Sequence, residues 1–477
     1  MYNPFMNRKA AVAGQFYTAE PAALRREVTY YLACQVAPAG QVTGILAPHA
    51  GYSFSGAAAG AAFAGLKDVP FDTLVIIATG HTMALKNGAL FSEGAFETPL
   101  GNVEIDADLC AALLKEKKLF ENLPSAHAAE HAVEVQLPFL QALKGDTVKI
   151  VPLLFNTSDA DLLEDAGRAL GRAMKGRSAV LCVSSDLSHY PPGNIAEMSD
   201  RAVLLALRQA MRSGAPGYFD LANRLLLEKC AAYMDTTACG QAAMTAGAAA
   251  ALELGADDFT LELYTHSGKI SGDNKAVVGY GSGFFTRSKI KPAPGCELSK
   301  TMKEALLSIA RLSITCQLKT GKTTEQPLSA WPEFNQPAAV FVTLTLGGQL
   351  RGCIGSLEPR GMLADAVSSY ALSAAFSDPR FSPVSAAELK KIKIEISVLS
   401  PLALTPGPEA VKEGVHGVYV KSGRHSGTYL PQVWEHFGTK EEFLSSLCLE
   451  KAGLAADAWK EKSTALYVYT VDCFKEN

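Results

Sequence analysis

Long stretches of one chemical character are scarce in this 477-residue chain. The longest apolar run, Cys239–Ala251, is mostly Ala, Gly and Thr with Gln241 inside it, too short and too small-sided to cross a bilayer. The opening residues, MYNPFMNRKAAVAG, contain no apolar core of a signal peptide, so a cytoplasmic protein is expected. Net charge is only −4, and no basic field points to nucleic acid or to an anionic membrane. None of the ten cysteines stands in a C-x-x-C, which argues against zinc ribbons, thioredoxin motifs and the cysteine triad of radical iron–sulfur enzymes. In a cytosolic chain most are then reduced core residues. Gly279, Gly281 and Gly283 alternate along one strand and open no helix, so they are not a dinucleotide fingerprint. Gly321-Lys322-Thr323 lacks the upstream glycine of a P-loop.

What is present is a core-forming composition, 48% hydrophobic and 19% charged, over a length that suggests two to four domains. Asp72–Thr79, Val148–Phe155 and Ala179–Ser185 are near-continuous apolar runs, as buried parallel strands are. Helical segments alternate with them; Glu130–Lys144 reads as one helix with His131 and Glu134 on one face. This alternation argues for an α/β sandwich. Arg287–Cys296, RSKIKPAPGC, is polar and proline-rich and reads as a linker. It divides the chain into domains of 1–287 and 297–477 joined by residues 288–296. Beyond it the texture is α+β: a long helix over Glu297–Lys319, a hairpin turning at Gly347-Gly348, and the alternating strand Lys391–Leu399. Helices are expected between Pro431 and Gly453.

Three strands of the first domain run into titratable groups. Gly44–Ala47 leads to Pro48-His49, Asp72–Thr79 to Gly80-His81, and Ala179–Ser185 to Asp186 and His189. The carboxyl ends of strands in an open α/β sheet are where ligands bind. A single histidine at a strand end is as readily a structural residue as a ligand. Here His49, His81, His131, Asp186, His189 and Cys239 come from five segments. Two imidazoles with an anionic third ligand and open positions suit a metal that does chemistry. Cys239 can supply the anion as a thiolate, leaving His189 and Asp186 as acid–base or supporting groups.

At these residues the sequence resembles the Memo family: Pro48-His49-Ala50-Gly51-Tyr52, Glu130-His131-x-x-Glu134-x-Gln136-Leu137-Pro138, Ser184–Tyr190 and Ser267-Gly268-x-x-Ser271-Gly272-Asp273. The likeness runs over roughly residues 7–287. It implies a mostly parallel sheet flanked by helices, similar to class III extradiol dioxygenases, and a non-heme metal, iron(II) or copper. It further implies His49, His81 and Cys239 as metal ligands, with His131, Asp186 and His189 in the pocket. Where the family has Pro-Ser before the second histidine, this chain has Thr79-Gly80.

Leu350–Ser356, LRGCIGS, together with Phe376-x-Asp378-x-Arg380-Phe381 and Thr428–Trp434, resembles the AMMECR family over about residues 297–475. That resemblance implies a smaller α+β domain. The pairing implies the AmmeMemoRadiSam system, in which a separate radical S-adenosylmethionine enzyme is the partner. Cys353 lies between glycines beside Arg351; a nearby guanidinium activates a thiol, so Cys353 is a candidate catalytic residue. A small core side chain on a bulged strand is the other reading. The function expected is a metal-dependent oxidoreductase acting on a small molecule or a peptide. Its rivals are a hydrolase with Cys239 as nucleophile and a non-catalytic adaptor.

The linker reading makes a direct prediction. Limited proteolysis cuts first at Lys291–Pro294 and leaves two folded fragments. A first cut inside Leu74–Ile77 would show the domain division to be wrong.

Overall fold

Buried on both faces, a parallel strand reads as an unbroken apolar run, and such runs form the centre of the first unit. The computed structural model describes residues 7–288, 297–405, 407–461 and 463–476. It divides into two units, Met1–Ala293 and Pro294–Asn477. Of the expected linker, residues 289–296 lie outside the described residues.

In chain order the first unit contains α1 (Pro21–Leu32), β1 (Gln41–Ala47), α2 (Tyr52–Ala64), β2 (Thr73–Thr79), β3 (Gly88–Leu90), β4 (Ala95–Thr98), β5 (Gly101–Glu104) and α3 (Ala107–Leu113). Then come β6 (Phe120–Asn122), α4 (Pro124–His127), α5 (Leu137–Lys144), β7 (Lys149–Phe155), α6 (Ala160–Met174) and β8 (Ala179–Ser184). The unit ends with α7 (Gly193–Ser213), α8 (Pro216–Cys230), α9 (Gln241–Glu253), β9 (Asp258–His266), α10 (Ser267–Ser271) and β10 (Gly279–Arg287). Its main sheet runs β6-β3-β7-β2-β8-β1-β10-β9. The central β7-β2-β8-β1 are parallel, and β10, β9 and the β3–β7 pair are antiparallel. All seven residues of β2 are buried. The parallel strands all point their carboxyl ends to one edge, the edge that carries the histidines.

The helices reach this sheet by being thin. α2 and α9 are mostly Ala, Gly and small polar residues, and most of both is buried. A Cβ on Gly60 of α2 would stand 2.5 Å from the Tyr31 carbonyl oxygen, and one on Gly167 of α6 only 2.2 Å from that of Ala246 in α9. Backbone contact of this kind leaves no slack for side chains to repack.

One helix is shorter than its sequence suggests. Over Glu130–Lys144 only α5 is α-helical, preceded by a 3-10 turn at Glu134–Gln136. The Glu130 carboxylate accepts the N–H groups of His131 and Ala132, offering the backbone an alternative to the helix. Pro138, which lacks an N–H, then sits in the first turn of α5, where none is needed.

The second unit contains α11 (Lys300–Thr320), β11 (Ala339–Leu346), β12 (Gln349–Gly355), α12 (Leu363–Phe376), β13 (Ile392–Leu399) and β14 (Ala403–Leu404). They are followed by β15 (Gly417–Ser422), β16 (His425–Tyr429), α13 (Lys440–Ser446), β17 (Ala465–Tyr469) and β18 (Val471–Lys475). Two four-stranded sheets form, β12-β11-β13-β18 and β14-β17-β15-β16. Gly347 and Gly348 take φ of 58° and 80°, as the turn between β11 and β12 requires. The stretch 431–453 is only partly α-helical: a 3-10 turn at Pro431–His436, then α13, then a π-helical turn at Leu447–Ala452.

Close approach predicts a contrast between two glycine-to-alanine changes. Gly167→Ala drives a methyl into the Ala246 carbonyl and lowers the stability of the first unit by about 1–3 kcal/mol. Gly217→Ala, at a helical position with nothing within 4 Å, leaves it unchanged or slightly raised. Thermal midpoints of the two variants measure the difference; equal midpoints would refute it.

Candidate metal centre

The chemistry-bearing residues stand just past the strand ends. His49 is two residues beyond β1, His81 two beyond β2, Asp186 two beyond β8, and Cys239 two before α9. His131 arrives from the loop before α5. The rings of His49 and His81 are 5.2 Å apart, those of His49 and His131 5.4 Å, and those of His81 and His131 are stacked at 4.8 Å. Phe16 lies 4.8 Å from the His131 ring.

The tautomer of His49 follows from its neighbours. The Ser184 hydroxyl has one proton, and it goes to the Ala132 carbonyl at 2.7 Å. One Ser184 lone pair takes the Gln136 Nε2–H at 2.9 Å, and Gln136 also donates to the Pro48 carbonyl. The group left to Ser184 is His49 Nδ1, 3.0 Å away, which must therefore be the donor. His49 thus carries its proton on Nδ1 and turns the lone pair of Nε2 toward the Cys239 sulfur, 3.1 Å away. His81 is set in the same sense: its Nδ1 faces Glu130 Oε1 at 3.0 Å, leaving Nε2 free.

Glu130 is the organiser of the histidine side. Its carboxylate accepts the backbone N–H of His81 at 2.6 Å, and His131 Nδ1 lies 3.3 Å from Oε1. Burial alone would raise its pKa, but the hydrogen bond and charge of His81, with help from Ala132 N–H and His131, bring it to about 2. The Glu130 loop is held from behind by Arg8, whose buried guanidinium donates to the carbonyls of His127 and Glu130 and pairs with Glu134. Glu134 also accepts from Ala11 N, Val12 N and the Tyr17 hydroxyl. A buried carboxylate of this kind is tolerated because its lone pairs are used.

On the other side, Asp186 Oδ1 accepts the His49 N–H at 2.7 Å. Burial pushes its carboxyl up to about 7, against the opposing His49 hydrogen bond and His81 charge. Burial, then the charge of Asp186, pushes the Cys239 thiol well above its ordinary value. His189 Nε2 is buried and has no hydrogen-bond partner. Burial first, then His81, lowers the pKa of its ring. Its loop is held by Asp200, which accepts from Ser188 N at 3.0 Å and Tyr264 OH at 2.8 Å. The next residue, Tyr190, is the non-glycine residue with positive φ, 69°, among the described residues. A cleft of about 540 Å3 adjoins Cys239, walled by Thr79, Asn156, Ser158, Asp220 and Thr236.

Among the described residues, two groups of three have ligand atoms within 4.8 Å of one another: His49, His81 and His131, and His49, Asp186 and Cys239. His49, His81 and Cys239, the trio that the resemblance implies, are spread over both groups. His81 falls in one group and Cys239 in the other, with His49 in both.

Cys353 belongs to the second unit. β12 carries a bulge, since Gly352 faces Leu344 while Leu350 faces Thr345, and Arg351 is the extra residue. Its guanidinium pairs with Glu388 at 2.8 Å, and the Cys353 sulfur takes a hydrogen bond from the Thr343 hydroxyl at 3.1 Å. Gly352 is needed for closeness: a Cβ there would lie 2.1 Å from the Ala374 carbonyl oxygen.

Ser184, Gln136, Glu130 and Arg8 were not singled out by role from sequence. A serine ending an apolar strand and a glutamine beside a helical proline are visible signals; a single arginine near the start of the chain is none.

The family model described as Memo-like protein matches residues 8–284, and that described as AMMECR1 matches residues 307–474. A MEMO1 family protein of Methanothermobacter thermautotrophicus is 36% identical over 286 residues, covering 58% of this chain and 99% of its own. One from Methanopyrus kandleri is 34% identical, over 59% of this chain and 100% of its own. Among solved structures, an uncharacterized protein of Pyrococcus horikoshii is 38% identical, covers 38% of this chain and 94% of its own, and has a TM-score of 0.35.

The tautomer argument predicts a spectrum. In metal-free protein at neutral pH, nitrogen-15 shifts of labelled histidine place the His49 proton on Nδ1. In Ser184→Ala that preference is lost and the two tautomers mix. A wild-type His49 protonated on Nε2 would overturn the reading.

Proposed function

Because this chain belongs to the Memo-like protein family over residues 8–284 and carries an AMMECR1 domain over 307–474, we propose that its first domain is a metal-dependent oxidoreductase centre. The observation that supports this reading is the pair of histidines, His49 and His81, each with Nδ1 engaged by a hydrogen-bonding partner and Nε2 left free. Metal-bound histidines are oriented in this way, by a partner on the other ring nitrogen. His49 is the fixed ligand; His81, His131, Asp186 and Cys239 are the donors from which the rest of the shell is drawn. When bound, an ion of variable charge such as iron(II) or copper supplies open positions for substrate and dioxygen and takes part in electron transfer.

The chain's own residues do the rest. His189, neutral and with an unengaged Nε2, accepts a proton from a bound substrate and returns it. Asp186 holds the backbone of His49 and keeps its ring at the sheet edge. Glu130 fixes the orientation of His81 and, through the backbone, of His131. The substrate is a small molecule or a peptide segment. The fusion with an AMMECR1 domain supports action beside a separate radical S-adenosylmethionine enzyme.

A second reading has one observation in its favour. The 3.1 Å contact between Cys239 and His49 is also that of a nucleophile and its base. Burial and Asp186 disfavour the thiolate such a nucleophile needs unless a cation stabilises it.

Metal content decides between the two. Anaerobically purified protein loaded with iron(II) retains about one ion per chain, and His49→Ala loses it. His189→Ala keeps the ion and loses turnover. Protein that holds no ion, yet is alkylated at Cys239 within minutes by iodoacetamide at neutral pH, is the hydrolase instead.

A further inference from the structure

We infer that Tyr280 is a further catalytic residue of this centre, its phenol placed to donate a hydrogen bond to an oxygen atom of the bound substrate. The inference rests on the oxidoreductase reading above and deepens it, because it states what the substrate presents. Tyr280 lies on β10, which pairs with β1 at Ile45 with Phe284 and at Leu46 with Gly283. Continued from Leu46 to His49, that register reaches Tyr280. At Gly279 the partner changes: Gly279 exchanges hydrogen bonds with Leu187 and Ser188, and the Tyr190 N–H donates to the Val277 carbonyl. Tyr280 therefore stands at the fork where β1 and the Asp186–Tyr190 segment part, on the sheet edge that carries His49 and Asp186.

The alternating glycines of β10 fix which way the ring faces. A Cβ on Gly279 would lie 1.9 Å from Asp200 Oδ2, and one on Gly281 3.0 Å from Leu187 Cδ1. That face of the strand is bare so that α7 and Leu187 can approach it. Tyr280, between the two glycines, projects from the opposite face, where it is only 3% exposed. Burial first, then the charges of Asp186, Cys239 and Tyr190, raise the pKa of its hydroxyl, which stays a neutral donor.

Several hydroxyl protons beside the site are spent on backbone carbonyls. Thr79 donates to Cys239, Ser184 to Ala132, Ser185 to Asp186 and Tyr52 to Val135. Among the described residues the Tyr280 hydroxyl has no such partner. Keeping a buried hydroxyl unpaired costs stability, and a ligand that accepts its hydrogen bond recovers that cost. The chemical class that fits is a substrate with an oxygen that carries or gains negative charge: a carboxylate, an enolate, or a carbonyl onto which electrons move. A donor fixed at that oxygen bonds more strongly as the charge grows, which favours the transition state over the ground state.

The test compares full-length wild type with Tyr280→Phe, which deletes the hydroxyl and keeps the ring. The thermal midpoint of the variant is unchanged or raised, because no hydrogen bond within the protein is lost. Both proteins are then titrated calorimetrically with benzoate, a carboxylate probe, once metal-free and once loaded with cobalt(II). Tyr280→Phe weakens benzoate binding by at least about tenfold, as loss of a hydrogen bond to a charged oxygen does. Tyr190→Phe, which removes the neighbouring exposed hydroxyl, leaves it within about threefold. A lowered midpoint in Tyr280→Phe would show the hydroxyl to be engaged within the protein and overturn the assignment. Equal benzoate affinity in Tyr280→Phe and wild type, or no benzoate binding by wild type in either form, overturns it too. Wild-type protein that takes up no cobalt(II) removes the metal reading instead, and the metal-free titration still decides the role of Tyr280.

Discussion

A single hydroxyl proton decides how this site is wired. Ser184 can donate once, and it donates to Ala132; everything else that approaches its oxygen has to bring a hydrogen. Gln136 does so from one side and His49 from the other. The direction of the chain from Ala132 through Ser184 to His49 Nε2 follows without reference to any ligand. Removing one partner from such a buried network costs about 1–3 kcal/mol.

That wiring needs a frame that does not yield. The frame is the contact of backbone with backbone between helices, as at Gly60 and Gly167, and the close approach of α9 to β8, where Gly247 faces the Val183 side chain. Ser184 ends a strand whose flanking strands β1 and β2 carry His49 and His81. Three adjacent parallel strands therefore set the spacing of three of the site's residues through their own hydrogen-bonded ladder. The segment that brings His189 is bridged by backbone hydrogen bonds to Thr236 and Val277–Gly279, whereas the loop that brings His131 has no strand partner among the described residues. That loop is fixed by the buried Arg8–Glu134 pair, and the His189 segment is further held by the Asp200 carboxyl.

Elements with strong local character were readable from the chain. The apolar strands, the histidines at their ends and the glycine hairpin at 347–348 are stated by a few consecutive residues. The segment at Glu130 departs from the helix that its hydrophobic spacing predicts because its backbone is captured by the Glu130 side chain, a preference that spacing does not record. Arg8 could not be assigned, since its partner Glu134 is 126 residues away. Proximity between Arg351 and Cys353 in sequence suggested an activated thiol. The bulge at Arg351 and the reach of Glu388 direct the guanidinium elsewhere. Whether His49 is paired with Cys239, His81 or both depends on how the ends of β1 and β2 and the entry to α9 come together, and no local pattern carries that.

Strand β10 closes the main sheet against β1, with Thr43 bonded to the Phe285 carbonyl across 242 residues. On a ribosome the first of these partners waits for almost the whole first unit to be made before the second appears. Until then β1, the strand that carries His49, has an open edge. The nascent chain consequently carries β1 with that edge unpaired until residues 279–287 are made, and β10 is completed at the boundary between the units. All the strands of the sheet around His49 are thus synthesised before the AMMECR1 domain, residues 307–474, has been made.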